Sequence, residues 1–339
     1  MRRALLLVAA VGLAACGGDD DGPVTLTLLT HDSFAVSDGV LEAFTAETGI
    51  GVEVARGQDA GLLLNRAILT KGDPEGDVLW GVDNTLASRA VAEELLVPYR
   101  PAVADELGFA DLSPSDVLTP VDRGYVCVNA DRRWFAERDL PVPASLDELT
   151  DPRYRDLLVV QDPSTSSPGL AFLLATVARY GDGWQDYWQG LVDNGVKVAD
   201  GWTTAYTVEF SGSSGQGPRP LVVSYSTSPA AEVVFADPRP AEAPTVSIDG
   251  CFEQIEYAGI LEGTNHEPEA RRLVDFLVST AFQEDMPLNM FVYPARPDAG
   301  VPSEFTSFAP EPVTTYDVPA DLDERREDWI DEWTDLVLR

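Results

Sequence analysis

Two short segments rich in hydroxyl groups are the part of the sequence best suited to bind a ligand, and they share one layout. Residues 157–160 are apolar and predict a buried strand, and residues 164–167 are Ser-Thr-Ser-Ser. Ser167 and Pro168 then stand where a helix cap and a first helical residue are expected. Residues 221–224, residues 225–228 and Pro229 repeat this order. Because a helix start carries unpaired backbone N–H groups, the two segments predict one small-molecule site for an anionic or hydroxyl-bearing group at the carboxyl ends of strands.

Aromatic and acidic side chains occur at the other predicted strand ends. Aromatic faces and carboxylates suit a flat organic cation, through cation–π and ion-pair contacts of roughly 0.5–2 kcal/mol each. A ligand with a cationic ring at one end and a hydroxyl or phosphate at the other would use both kinds of residue. The candidate binding residues are His31, Asp32, Asp59, Asp83, Ser166, Ser167, Trp202, Tyr206, Tyr225, Ser226, Thr227, Ser228, Phe291 and Tyr293.

Alternating strand and helix patterns must position these residues. Residues 24–30, 50–55 and 78–82 predict strands, and a helical pattern follows each of them, which is typical of an α/β fold with a largely parallel sheet. Composition changes near residues 112–122 and 246–260 predict two hinge crossings. We therefore predict a two-lobe α/β protein with a cleft between lobes that have separate sheets. The first lobe would comprise residues 24–122 and 253–339, and the second would comprise residues 123–252.

The composition narrows the class of partner. The 339 residues include 57 acidic and 23 basic side chains, which leaves a net charge of -34 spread over the chain. Such a surface repels nucleic acid and anionic lipid and attracts cations. Solubility or adaptation to salt explains most of this charge, so a cationic ligand is permitted by it and not required.

The N-terminus predicts export from the cytoplasm. Arg2 and Arg3 precede an apolar stretch, residues 4–15, that is too short to span a bilayer. Residues 13–16, Leu-Ala-Ala-Cys, resemble a lipobox, the motif at which a lipoprotein signal is cut and the cysteine is lipidated. We predict a lipoprotein signal in residues 1–16, a lipid anchor on Cys16 and a flexible tether in residues 17–23. The alternative is an ordinary secretory signal with a chance cysteine.

Two cysteines remain in the mature chain, Cys127 and Cys251. An even pair in an oxidising compartment favours a disulfide. Two buried free cysteines or a nucleophilic thiol are the alternatives, because the sequence does not give the separation of the two residues.

The usual signatures of catalysis and metal binding are missing from the sequence. It contains no G-x-S-x-G elbow, no P-loop and no H-E-x-x-H motif, and its two histidines form no cluster with zinc-ligand spacing. We therefore predict a protein that is not an enzyme and that uses neither a metal nor a cofactor.

Several of these segments carry a resemblance to a known family. They are residues 31–34 (His-Asp-Ser-Phe), 62–66, 81–84, 154–169, 200–202, 224–229 (Ser-Tyr-Ser-Thr-Ser-Pro), 293–294 and 329–333. Over essentially the whole mature chain the sequence resembles the thiamine-binding proteins of bacterial ABC importers. His31, Ala231 and Phe291 depart from this family, which often has tyrosine, tyrosine and tryptophan there.

The resemblance implies a monomeric, extracytoplasmic protein with the type II periplasmic-binding-protein-like fold. It would capture thiamine or its phosphates and deliver them to an ABC permease and its ATPase. Trp202 and Phe291 would lie against the rings, Asp59 would face a polar or cationic part, and the serines would take the hydroxyethyl or phosphate end. The resemblance adds Ala60 and Pro229 to the ligand contacts.

Three alternatives stay open from the sequence. A polyamine would also be held by carboxylates and aromatic rings, whereas ferric ion usually takes adjacent tyrosines, and the chain has no Tyr-Tyr pair. Thiamine-degrading enzymes share the two-lobe architecture and use a cysteine nucleophile with an acidic base. In this chain those would be Cys127 and either Glu253 or Glu256.

Overall fold

The computed structural model of the chain describes residues 23–213 and 216–339. The predicted lipoprotein signal, Cys16 and the tether up to residue 22 lie outside the described residues. Within the described ranges no helix has the length and apolar character needed to cross a membrane.

Twelve strands form one mixed sheet in the described part of the chain. They are β1 (Thr25–Thr30), β2 (Gly51–Arg56), β3 (Val78–Asp83), β4 (Leu96–Val97), β5 (Thr119–Asp131), β6 (Leu158–Gln161), β7 (Lys197–Ala199), β8 (Leu221–Tyr225), β9 (Thr245–Ser247), β10 (Cys251–Leu261), β11 (Tyr293–Pro294) and β12 (Thr315–Tyr316).

Helices cover both faces of this sheet. They are α1 (Val40–Thr48), α2 (Ala60–Leu69), α3 (Ala87–Ala92), α4 (Ala102–Glu106), α5 (Arg132–Ala136), α6 (Ser167–Tyr180), α7 (Trp184–Asp193), α8 (Trp202–Thr204), α9 (Ser228–Val234), α10 (Glu267–Leu277), α11 (Thr280–Asp285), α12 (Pro287–Met290), α13 (Ser303–Phe308) and α14 (Leu322–Val337). A 3-10 helix, Leu146–Thr150, lies between α5 and β6.

The main strands follow the order β2-β1-β3-β10-β5-β8-β6-β7. β1 pairs in parallel with β2 and β3 at one end, and β6 pairs in parallel with β7 and β8 at the other. In the middle, β10 runs antiparallel to β3 and β5, and β5 runs antiparallel to β8. The α/β class and the parallel pairing of the outer strands are therefore as the sequence predicts.

The two long strands β5 and β10 join the halves of the sheet. Residues 256–260 of β10 pair with β3, whereas residues 126–130 of β5 pair with β8, so each strand serves both halves. The expectation of two separate sheets is wrong, because the crossings are themselves hydrogen-bonded strands. Both predicted lobe boundaries, 122/123 and 252/253, fall inside these strands, and the exact division into lobes stays a prediction.

Buried aromatic side chains hold the helices to the first half of the sheet. The indole of Trp80 on β3 is fully buried, with Phe34 and Phe282 at 5.3 and 5.6 Å between ring centroids. Fully burying a large apolar side chain stabilises a fold by about 1.5–3 kcal/mol. This packing fixes the segment after β1, and with it the position of residue 31.

Helix α6 is the central helix of the second half. Its first eleven residues are buried on all sides, so it is a core helix and not an amphipathic surface helix. Its cap is Ser166, one residue earlier than the sequence predicts. The ring of Phe172 packs against Trp188 at 5.6 Å, and this packing sets the direction in which the start of α6 points.

The last helix, α14, contacts both halves. Trp333 packs against Trp188 of α7 at 5.3 Å, and Arg326 donates a hydrogen bond to Ser88 of α3. The buried residues of this helix, Leu322, Trp329 and Trp333 among them, thus dock it onto the predicted second lobe as well as the first.

Candidate functional site

A cavity of about 310 Å³ lies between the two halves of the sheet. Side chains after β1, after β8 and around α12 form its walls. The lining residues are His31, Ser33, Trp202, Tyr206, Thr207, Ser213, Tyr225, Thr227, Ser228, Ala231, Glu232, Phe235, Glu256, Asn289, Met290, Phe291 and Val292.

Aromatic rings form one wall of the cavity. Trp202 stacks on Tyr206, with 4.9 Å between centroids and 11° between planes, and Tyr225 meets Trp202 edge-on at 6.3 Å. The indole N–H donates to the hydroxyl of Ser224 at 2.9 Å, and this hydroxyl also bonds to Ser228 at 2.9 Å. These hydrogen bonds hold the indole in one orientation, ready to receive a flat ring.

Phe291 contributes a second aromatic surface to the lining. It ends α12 in the left-handed backbone region, with φ of 57°, which is unusual for a bulky residue. Its ring lies 5.3 Å from Phe235, and its carbonyl accepts a hydrogen bond from Thr227. The second hydroxyl segment therefore bonds directly to the opposite side of the cleft.

A buried ion pair provides the charge in the cavity. Glu256 of β10 and His31 after β1 are 5% and 7% exposed, and Oε2 of the glutamate lies 3.5 Å from Nε2 of the histidine. Burial raises the pKa of Glu256, but the charge of His31 outweighs this and leaves the pKa below its ordinary value. The site therefore presents an ionised carboxylate to a ligand.

Two further carboxyl groups lie behind this pair. Burial, and then the charge of Glu256, holds the pKa of Asp122 well above its usual range, which favours its protonated form. Burial raises the pKa of Asp83 to about 6, although the hydrogen bonds that it accepts from Thr85 and Gln254 lower this pKa. Asp83 thus caps the end of β3 inside the protein and does not line the cavity.

Asp59 ties three helix starts together beside the cavity. Its Oδ1 accepts from the backbone N–H of Ala60 at 2.7 Å and of Ser167 at 3.1 Å, and its Oδ2 accepts from the N–H of Trp202 at 2.9 Å. A carboxylate is favourable at each of these helix starts. One side chain therefore joins α2 of the first half to α6 and α8 of the second.

The first hydroxyl segment belongs to this junction and not to the cavity wall. Gly61 packs so closely that a Cβ there would lie 2.6 Å from the carbonyl oxygen of Thr165. Ser166 and Ser167 are buried beside Asp59, as is Ala60. The structure brings these four predicted residues together, with Ala60 and Ser167 bonded to Asp59, and none of the four is among the lining residues.

The other predicted residues are dispersed. Asp32 is exposed after β1, and Tyr293 lines a separate surface groove and donates a hydrogen bond to the carbonyl of Ala309. Ser226 and Pro229 line a third, smaller cavity.

Several lining residues escape prediction from the sequence. Glu232 accepts a hydrogen bond from the hydroxyl of Tyr206 at 2.6 Å. Phe235 lies about one turn further along, at the C-terminal end of α9. Both residues follow the second hydroxyl segment, residues 225–228, on or at the end of the same helix. This proximity is the one feature of the sequence that could have predicted them as lining residues. The remaining lining residues are not among the binding residues predicted from the sequence, although Glu256 was named there as a possible catalytic acid. They are Ser33, Thr207, Ser213, Ala231, Glu256, Asn289, Met290 and Val292.

Cys127 and Cys251 form a disulfide, with a Cα–Cα distance of 4.5 Å. Both residues are 1% exposed. A buried, oxidised sulfur cannot attack a substrate, so the structure argues against Cys127 as a nucleophile. Within the described residues no group of three or more His, Cys, Asp or Glu could hold a metal ion.

Fold and cavity together define a two-lobed protein that holds a small organic ligand between its halves. Residues 73–318 match the family described as bacterial extracellular solute-binding protein. The chain belongs to this family. Its similarity to the relatives described next groups it with the thiamine-binding periplasmic proteins. The family consists of solute-binding transport proteins that act outside the cytoplasm.

Two curated relatives and two solved structures illustrate the similarity. The chain is 32% identical to the thiamine-binding periplasmic protein of Salmonella typhimurium, over 96% of this chain and 98% of that protein. The identity to the Brucella suis protein of the same name is 31%, over 98% and 97%. A solved periplasmic thiamin binding protein matches with a TM-score of 0.81 and 29% identity, over 93% of this chain and 96% of that one. Iron-bound HitA from Pseudomonas aeruginosa shares the fold, with a TM-score of 0.72, 21% identity and coverage of 93% and 99%.

Proposed function

We propose that this protein captures thiamine in the cavity between its halves and delivers it to an ABC-type importer. The observation that carries the proposal is the combination of stacked aromatic rings with the buried carboxylate of Glu256 in one cavity. Thiamine has two flat rings, one with a fixed positive charge, and a hydroxyethyl arm. The rings suit the aromatic surfaces, and the positive charge suits the carboxylate.

Titration calorimetry with thiamine, thiamine monophosphate and thiamine diphosphate tests this function. We expect saturable binding of thiamine to one site. At a ligand concentration of 100 times Kd, the free energy of unfolding should rise by about 2.7 kcal/mol, which thermal unfolding measures. Spermidine serves as the competitor, because a polyamine would also pair with Glu232 and Glu256. Absence of heat and of stabilisation with all three thiamine forms would refute the proposal, whereas displacement of thiamine by equimolar spermidine would favour a polyamine.

Trp202→Ala is expected to weaken thiamine binding about 5–30-fold. The variant removes the ring that stacks on Tyr206, and such a contact contributes about 1–2 kcal/mol. Trp202→Phe is the matched control, since it keeps an aromatic face and loses the hydrogen bond to Ser224. Calorimetry on both variants separates the two contributions. Equal affinities for the alanine variant and the unmodified protein would exclude stacking on this ring.

Gly81→Ala is expected to weaken binding about tenfold. Gly81 has φ of 104°, and a Cβ there would collide with the imidazole of His31, so the ring must leave the cavity wall. Gly72→Ala is the control, because Gly72 has φ of 87° and open space around its Cβ position. The control carries similar backbone strain without the collision. Calorimetry and thermal unfolding of both variants distinguish a local effect on the site from general destabilisation.

The export and partner assignments belong to the same proposal. We propose that the signal in residues 1–16 is removed and that lipidated Cys16 anchors the mature chain to the membrane. The protein acts as a monomer with a permease and its ATPase, and it binds thiamine without transforming it. Labelling with a radioactive fatty acid, lost in Cys16→Ala, tests the anchor, and recovery of intact thiamine after incubation with an amine nucleophile tests the absence of catalysis.

A further inference from the structure

The ion pair between His31 and Glu256 is loose and lies in the wall of the cavity. The 3.5 Å separation of Nε2 and Oε2 exceeds that of a charge-assisted hydrogen bond, and neither atom forms a hydrogen bond within the described residues. The other ring nitrogen, Nδ1, lies 3.0 Å from the hydroxyl of Ser33, which orients the imidazole. Both side chains line the cavity, and the facing atoms Nε2 and Oε2 are buried between them, so a cationic group reaches the carboxylate by displacing the imidazole.

Apart from His31 itself, the side chains around this ion pair are acidic or uncharged. None of the described residues that line the cavity is a lysine or an arginine. The titratable groups that face this pair come from five elements of the fold. They are Asp32 after β1, Asp59 at the start of α2, Asp83 on β3, Asp122 on β5 and Tyr225 at the end of β8. The imidazolium of His31 is therefore the cationic partner of Glu256 before a ligand arrives.

We propose that a cationic ligand replaces His31 as the partner of Glu256, so that capture of the ligand expels one proton from the cleft. The exchange keeps the charge balanced. Imidazolium and carboxylate become neutral imidazole and a ligand–carboxylate pair, and the proton passes to the solvent. This inference rests on the proposed function. It adds that the ligand carries a permanent positive charge and that Glu256 is the counter-ion of that charge.

The direction of the pH dependence follows from the electrostatics. Burial lowers the pKa of His31, but the carboxylates of Glu256, Asp59 and Asp32 outweigh it and raise this pKa above its ordinary value of about 6.5. A bound cation beside Glu256 repels the imidazolium, so the pKa of His31 falls on binding. Affinity then rises with pH until the pH exceeds the pKa of His31 in the free protein, by at most tenfold per pH unit.

Calorimetry of thiamine binding in two buffers of different ionisation enthalpy, from about pH 6 to 8, measures the released proton. Unphosphorylated thiamine is the probe, because a phosphate titrates in the same range. We expect release that approaches one proton per thiamine at the acid end, and affinity that increases with pH. His31→Gln should bind thiamine with no proton release and a flat pH profile, while the control His266→Gln should keep both. Glu256→Gln should bind at least tenfold more weakly.

A second measurement on the unmodified protein does not depend on variant folding. The chain has two histidines, so the imidazole signals of His31 and His266 can be followed by NMR during a pH titration. We expect the pKa of His31 to fall by about two units or more when thiamine is added, because a smaller fall could not release nearly one proton, and the signals of His266 to be unaffected by thiamine. Thiamine binding without proton release and without this change would overturn the inference and leave the function intact. Absence of thiamine binding would overturn the proposed function instead.

Discussion

Asp59→Ala is expected to lower the free energy of unfolding by about 2–4 kcal/mol and to weaken thiamine binding by at least tenfold. The variant leaves the backbone N–H groups of Ala60, Ser167 and Trp202 without their shared acceptor at a buried place. A buried donor that loses its partner costs about 1–3 kcal/mol. The effect on binding follows because the three helix starts hold the two walls of the cleft in register.

Asp59→Asn and Asp73→Asn provide the comparison for this prediction. The carboxamide that Asp59→Asn introduces can still accept from one helix start, but its NH₂ group faces another donor, so we expect an intermediate loss. Asp73 is exposed, and its replacement removes a charge without removing a buried acceptor. Chemical denaturation and calorimetry measure both quantities. If Asp59→Ala retained full stability and affinity, the junction would contribute nothing to closure of the cleft.

The double variant Cys127→Ala/Cys251→Ala is expected to lose about 2–5 kcal/mol of stability. The disulfide closes a loop with a sequence separation of 124 residues, and its loss enlarges the conformational freedom of the unfolded chain. It also joins β5 and β10, the two strands that pass between the halves. Both thiols would remain in the buried core in the reduced protein, so reduction without substitution should give a similar loss.

Denaturation in urea with and without a reductant tests this prediction. Affinity for thiamine at a temperature where the double variant is folded should change little, because the disulfide does not line the cavity. A large loss of affinity with unchanged stability would contradict the assignment of a purely structural role. Turnover of thiamine by the reduced protein, abolished in Cys127→Ser, would restore the enzymatic alternative.

The buried carboxylate and the aromatic rings of the cavity each occur in other kinds of site as well. Buried acids also occur in structural networks, and aromatic rings at a cleft also occur in polyamine sites. What favours thiamine is that the carboxylate and the stacked rings face one cavity, in a chain that groups with thiamine-binding relatives. Glu256 has the protonated carboxyl of Asp122 behind it, so the negative charge of these two neighbouring acids is concentrated on Glu256.

Local sequence determined the class of fold and the position of the helix starts. Strand and helix periodicity depends on neighbouring residues, so the strands β1, β2 and β3 and the start of α6, within one residue of its cap at Ser166, could be predicted. The two hydroxyl segments were identifiable for the same reason, since serine and proline at a helix start act on the adjacent backbone.

Only the tertiary structure decided which of these groups face the cavity. Glu253 and Glu256 both lie on β10 in similar apolar surroundings, yet Glu253 pairs with Arg123 at a half-exposed position and Glu256 is buried against His31. A period of two tells which strand residues share a face, but the pairing of β10 with β3 and β5, and its irregularities around Glu256 and Tyr257, set the face that meets the cleft. Asp59 was a candidate binding residue in the sequence, but its bonds to Ser167 and Trp202, 108 and 143 residues away, arise only when the two halves come together.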